Sequence, residues 1–227
     1  MLSWRYKGNW AAAEREFDGA IALAPSYSCA HEDRAVFLGF AGRRGEALSE
    51  LAKSRELDLS PSFALTESAT YYELQDYQGL IQASRRGMSS DPNEWLEHYY
   101  LGIGYEARGK LLEAITEYQK AVEMSDRDQA PTAAVAYAYS LIGRKAEAEK
   151  ILHTLERKSK SEYVSAYMIA TIYAGLGQKD RAFEFLEKAY LDKDLDLPWS
   201  PKADSRFDSL RSDPRFQVLL RRVGLTT

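Results

Sequence analysis

The chain has 227 residues, 45% of them apolar, with 30 Lys and Arg against 34 Asp and Glu for a formal charge of -4. That is enough apolar matter for a packed core, and the two charge signs are interspersed, which disfavours direct binding of nucleic acid. No apolar run is long enough to span a bilayer, MLSWRYKGNW lacks the apolar segment of a secretory signal, and Cys29 as sole cysteine excludes an internal disulfide. The expectation is a cytoplasmic protein without membrane contact.

In chain order, Trp10, Ala13, Phe17 and Ala20 recur at three- and four-residue steps before Pro25, the pattern of one amphipathic helix. From Ser28 the pattern doubles and repeats. Copies begin at Ser28, Pro61, Trp95, Gln129 and Tyr163, spaced 33 or 34 residues apart, giving units 28–60, 61–94, 95–128, 129–162 and 163–194. The clearest runs from Trp95 to Ser125. There His98, Leu101, Gly102 and Tyr105 precede a bend at Gly109, and Ala114, Tyr118 and Ala121 follow it. The place of Gly102 holds Ala35, Ser68, Ala136 and Ala170 elsewhere, always small; that of Tyr105 holds Leu38, Tyr71, Tyr139 and Tyr173, always large. The copy at Pro61 fits least well, with Gln75 at the turn, Leu80 where the others carry Ala, and Ser84.

After Asp192 the rhythm is lost, and Pro198 and Pro201 argue against a continuous helix. Residues 195–227 read as a linker and a terminal helix, with Asp213 as its cap, Pro214 at its first position and Gly224 just past its end. Phe207, Leu210, Phe216, Leu219, Leu220 and Val223 give that region an apolar stripe suited to docking on the last hairpin.

The spacing within 95–125 resembles the tetratricopeptide repeat (TPR), with His98 in place of the usual first Trp. The resemblance implies an all-α, right-handed α-solenoid of TPR helical hairpins with a C-terminal capping helix. Residues 1–27 would then be a partial repeat with its second helix intact. Its open edge implies self-association or a longer parent chain, because terminal repeats normally carry a polar outer face. The stretch from Phe207 to Phe216, with Leu219-Leu220-Arg221-Arg222, is similar to the ends of TPR tracts in bacterial multidomain signalling proteins. Their amino-terminal parts are winged-helix regulators, nucleotide cyclases or Ser/Thr kinases, which implies a regulatory arm.

Candidate chemistry is sparse. Gly104-x4-Gly109-Lys110 imitates a phosphate loop, yet Leu111 stands where a hydroxyl is needed and both flanks are helical. Asp192, Asp194 and Asp196 imitate the start of a calcium loop, but Leu197 and Ala203 fall at the required Gly and Glu places, so the run reads as an acidic surface linker. His31, His98 and His153 lie too far apart along the array to share a zinc ion. The serines lack the spacing of an activated nucleophile. No catalytic residue, metal site or cofactor is expected, and an enzyme hidden in the scaffold is the weakest alternative.

In the TPR fold the first helix of each hairpin lines a concave groove, and the resemblance carries that role onto particular places. Phe40, Leu65, Tyr72, Tyr99, Ile103, Tyr137 and Tyr167 are the partner-binding residues so implied. The groove is aromatic and nearly free of positive charge, which does not suit the carboxylate-tailed chaperone peptides that other TPR proteins grip. It suits an amphipathic helix or an extended apolar peptide, so the expected function is a non-catalytic protein–protein interaction scaffold.

Overall fold

The computed structural model describes residues 10–57, 61–126, 128–194, 196–197 and 201–225, and among these the regular structure is entirely helical. Helix α1 (Trp10–Leu23) precedes five hairpins. These are α2 (Ser28–Phe40) with α3 (Arg44–Leu57), α4 (Pro61–Glu73) with α5 (Tyr77–Ser90), α6 (Trp95–Ala107) with α7 (Leu111–Met124), α8 (Ala130–Leu141) with α9 (Lys145–Lys158), and α10 (Ala166–Gly175) with α11 (Lys179–Leu191). A 3-10 helix (Ser205–Leu210) and α12 (Pro214–Arg222) complete the chain. The array is an α-solenoid of helical hairpins.

Each hairpin turn closes in the same way. The residue two past the cap donates its N–H to the carbonyl of the recurring large residue: Arg43 to Leu38, Lys110 to Tyr105, Arg144 to Tyr139 and Gln178 to Tyr173, all at 2.9 Å, and Asp76 to Tyr71 at 3.0 Å. This six-to-one closure needs a left-handed residue in between. Gly42, Gly109, Gly143 and Gly177 supply it with φ of 71, 72, 80 and 75°, whereas the second hairpin uses Gln75 at φ 53°. A side chain in that region costs about 1–2 kcal/mol, so Gln75 stays there at a disadvantage that its side chain must offset.

Within each hairpin the small residue of the first helix faces a matched partner on the second. Ala35, Ala136 and Ala170 recur with Leu51, Leu152 and Leu186, all buried. In the third hairpin the partner is Tyr118, and a Cβ on Gly102 would overlap its ring, so the larger partner demands the smaller residue. The second hairpin substitutes a polar pair, Ser68 and Ser84 with hydroxyls 3.3 Å apart, and Ser68 donates to Glu97 Oε2 at 2.8 Å. The poor sequence match of that copy reflects a different solution at one place.

Successive hairpins interlock through the recurring tyrosines. The Tyr105 hydroxyl accepts from Arg85 at 2.9 Å, that of Tyr139 accepts from Gln119 at 3.2 Å, and Tyr173 donates to Glu156 at 2.5 Å. His31 and His98 occupy equivalent places and repeat one arrangement: Nδ1 lies 2.6 Å from Glu50 or Glu117, and Nε2 faces the carbonyl of Pro25 or Pro92. The histidines thus pin each first helix to its second helix and to the preceding loop.

Helices α2 and α4 pack together, as do α8 and α10, so first helices form an inner layer with second helices outside. Helix α12 lies on α11, where Arg215 sits over the Phe183 ring at 4.1 Å, Arg222 over Tyr190 at 4.0 Å, and Arg222 pairs with Glu187 at 2.5 Å. Its far end returns to the beginning of the chain: the Trp10 indole donates to the Gly224 carbonyl at 2.9 Å. Residues 201–225 therefore bridge the last hairpin and the first described helix, across the inner layer.

Candidate functional site

The inner layer is where the first-helix aromatics converge, and residues from the C-terminal segment meet them there. Asp204 and Arg206 are 2% and 4% exposed, although both are ionic. Arg206 donates to the Asp204 carboxylate through Nε and Nη2, each at 2.8 Å, and through its backbone N–H at 3.0 Å. The Tyr167 hydroxyl also donates to Asp204, at 2.9 Å, and Arg206 Nη1 donates to the Tyr99 hydroxyl at 3.3 Å. The pair is therefore neutral as a unit and hydrogen-bonded on both members, the condition under which buried charge is tolerated.

Phe207, with no exposed surface, sets its ring edge-on to Tyr167 with centroids 5.2 Å apart and planes at 71°. It also approaches Phe216 at 6.2 Å. Such edge-to-face contacts add to burial because the ring edge is positive and the face negative. At the other end of the segment, the Gln75 amide donates to the carbonyls of Ala203 at 3.0 Å and Lys202 at 3.5 Å. This contact uses the side chain that the strained turn position carries. A cavity of about 340 Å³ remains here, between Phe40, Glu73 and Gln75 on one side and Lys202, Ala203 and Leu225 on the other.

Electrostatics follow from the burial. Glu106, which accepts from the Tyr118 hydroxyl at 3.0 Å, is pushed from 4.5 up to about 7 by burial, against the opposing pull of Arg206. Burial likewise raises the Tyr99 hydroxyl to about 12 and holds Tyr72, Tyr137 and Tyr167 well above the ordinary tyrosine value, so all four stay protonated. A second buried acid stands nearby in the stack. Glu97, whose Oε1 has no hydrogen-bond partner among the described residues, is raised from 4.5 to about 7, again chiefly by burial.

The expected partner-binding residues fall in different settings. Tyr99 and Tyr167 touch the segment directly, as above. Tyr72 and Tyr137 lie within electrostatic reach of Asp204 and Arg206, and Tyr72 packs its ring against Tyr100 at 6.0 Å. Phe40 is buried and lines the cavity beside Leu225, Ile103 is buried in the main apolar cluster, and Leu65 is half-buried on α4. Sequence reasoning missed Gln75, Asp204 and Arg206. The signals available were a glutamine where four other turns have glycine and an ionic triplet followed by an aromatic just after a proline.

Two sequence expectations need correction. The acidic linker is not a surface feature throughout: Asp194 is buried and accepts from the Ser165 hydroxyl at 3.0 Å and the Tyr167 N–H at 3.2 Å, while burial raises Asp196 from 3.8 to about 6. The groove is not a free aromatic surface, because the chain's own residues 203–207 lie against it. Gly104, part of the apparent phosphate loop, sits within α6, where a Cβ would meet Ile81 at 2.6 Å. Among the described residues no group of three or more His, Cys, Asp or Glu is placed to hold a metal ion, and no helix is long and apolar enough to cross a membrane.

No family model matches the chain. It is 27% identical over 108 residues to the human tetratricopeptide repeat protein 13, a match covering 48% of this chain and only 13% of that relative. Among solved structures, a tetratricopeptide repeat protein from Parabacteroides merdae superposes with a TM-score of 0.62 at 16% identity, covering 98% of this chain and 95% of that one. The structure of MamA gives a TM-score of 0.55 at 22% identity over 69% of this chain and 95% of its own. Solenoids of this kind present extended surfaces to protein partners. With the 34-residue period, the helical hairpins and these likenesses in agreement, the chain has the helical-hairpin solenoid fold seen in tetratricopeptide repeat proteins.

Proposed function

We propose that this protein is a non-catalytic interaction scaffold whose inner aromatic face takes a partner polypeptide, and that residues 201–225 hold that face in the resting state. The partner would meet Phe40, Leu65, Tyr72, Tyr99, Ile103, Tyr137 and Tyr167. The observation that carries this is the buried pair Asp204–Arg206, bonded to the hydroxyls of Tyr99 and Tyr167. Those tyrosines engage the segment by charge and ring contacts, and Gln75 engages its backbone, which is how a binding face treats a ligand. A wedge meant only to fill space gains little from ions, since replacing a buried pair by apolar residues is often neutral or stabilising.

Release of the segment is the step that admits a partner, so the segment must open more easily than the array unfolds. Native-state hydrogen exchange on the full chain tests this. The amides of Phe207, Leu210, Leu219 and Leu220 should exchange through an opening that costs less than global unfolding and carries a smaller denaturant dependence. If they exchange only with the core amides of α8 and α10, the segment is permanent and the inner face is not a partner site.

A further inference from the structure

We propose that the inner face recognises a peptide of defined chemistry, an acidic residue, one spacer, an arginine and an aromatic, of which Asp204, Arg206 and Phe207 are the in-chain example. This deepens the proposed function and rests on it, since it names the ligand class of the same face.

Four adjoining subsites read four features. The Gln75 amide takes backbone carbonyls ahead of the acid, at 3.0 and 3.5 Å. The Tyr167 hydroxyl takes the carboxylate at 2.9 Å. The Tyr99 hydroxyl takes the guanidinium at 3.3 Å, and Glu106 adds an acidic group within electrostatic range of it. The Tyr167 ring takes the aromatic.

The order of these subsites fixes register. Sliding a ligand by one residue removes the arginine from Tyr99 and leaves buried polar groups without partners, a larger loss than the bond itself contributes. The arginine and acid also satisfy one another in the i, i+2 arrangement, so a ligand carrying both enters as a neutral unit with its register specified. Gln75 belongs to the same device. Its left-handed φ of 53° is unfavourable where four equivalent turns carry glycine, and its amide is the group that reaches the segment's backbone.

The test uses the full chain with Arg206→Ala, which empties the arginine subsite and leaves the apolar anchors in place. The probe is a fluorescein-labelled synthetic peptide spanning Pro201–Ser212, followed by anisotropy. The double variant Asp204→Ala/Arg206→Ala, which removes both ions of the segment, leaves neither charge buried alone and keeps every subsite of the face, is the second host and keeps the test alive should Arg206→Ala fold poorly. Both variants should bind the peptide more tightly than the unmodified chain does. A peptide with alanine at the arginine position should bind at least about tenfold more weakly, as expected for loss of a central anchor. Equal affinity for the two peptides overturns the proposal, as does absence of binding to whichever variant keeps its helix content and cooperative unfolding. Should hydrogen exchange show the segment opening while the peptides are not distinguished, the ligand chemistry is wrong and the gated face stands. Should the segment open only on global unfolding, the gated face itself is lost.

Discussion

The first hairpin and the last three are built from the same repeat, yet they hold together differently. From Leu80 to Leu225 most of the buried apolar residues form one continuous cluster that includes Leu197, Phe207, Leu210, Phe216 and Val223 of the C-terminal region. Around α1 to α4 there are two small ones, Ala13 with Phe37, Leu38, Phe40 and Ala47, and Ala35 with Leu51 and Phe63. What ties that end is largely polar. Ser54 and Thr66 both donate to Glu32, Arg34 bridges Asp18 and Glu50, and Arg55 and Arg86 converge on Glu67. A repeat contacts only its neighbours, so its cohesion depends on what else covers it. The C-terminal segment supplies that cover for the later hairpins and reaches the first helix chiefly through Trp10 and Gly224.

The largest expected effect is at Phe207. Phe207→Ala removes a fully buried ring from the continuous cluster and should cost about 3–5 kcal/mol in the main guanidinium transition. Phe37→Ala, in a small cluster, should leave that transition in place and accelerate hydrogen exchange only within residues 10–57. If both variants shift one common transition equally, the two ends form a single cooperative unit and the contrast is false.

Gly102→Ala comes next. The new methyl would overlap the Tyr118 ring, which is buried and held by its bond to Glu106, so the loss should be about 1–3 kcal/mol by denaturant titration. Gly45→Ala, on α3 with no atom near its added carbon, should instead stabilise by about 0.4–1 kcal/mol.

The pH dependence also belongs to the later hairpins. Glu97 and Glu106 have folded values of about 7, above the 4.5 of the free group. The native state therefore binds more protons than the unfolded chain between those values. Their contribution is fully present below about 4.5 and is lost as pH rises through about 7. Glu97→Gln should flatten that decline, measured as unfolding midpoint against pH; a slope unchanged from the parent chain would mean that Glu97 ionises in the fold at its ordinary value. The smallest effect is at the surface pair of Arg144 and Glu147 on α9, where Glu147→Ala should change stability by less than about 0.5 kcal/mol.

How much was legible in the sequence follows from the distance over which each feature is determined. The period, the glycine turns and the small residue opposite each large one are settled within a single hairpin, so the solenoid could be read directly. The aromatic places of the first helices could be read from the same register. Their surroundings could not. Arg206 and Tyr99 are separated by 107 residues and Trp10 and Gly224 by 214, and no local pattern links them. Asp194 looked like a solvated linker acid because its hydrogen-bonding partners, Ser165 and Tyr167, come from α10 and the loop just before it. Gln75 and Ser84 looked like decay of the repeat, whereas each makes a contact that the consensus residue cannot.

The central claim, that the C-terminal segment is seated among the inner tyrosines, is tested most directly by a double-mutant cycle of Tyr167→Phe and Asp204→Asn in the full chain, read by chemical denaturation. A coupling energy of about 1 kcal/mol or more is the predicted result for a buried hydroxyl donating to a carboxylate. Additivity of the two losses to within about 0.3 kcal/mol would contradict it, because groups that do not touch do not couple.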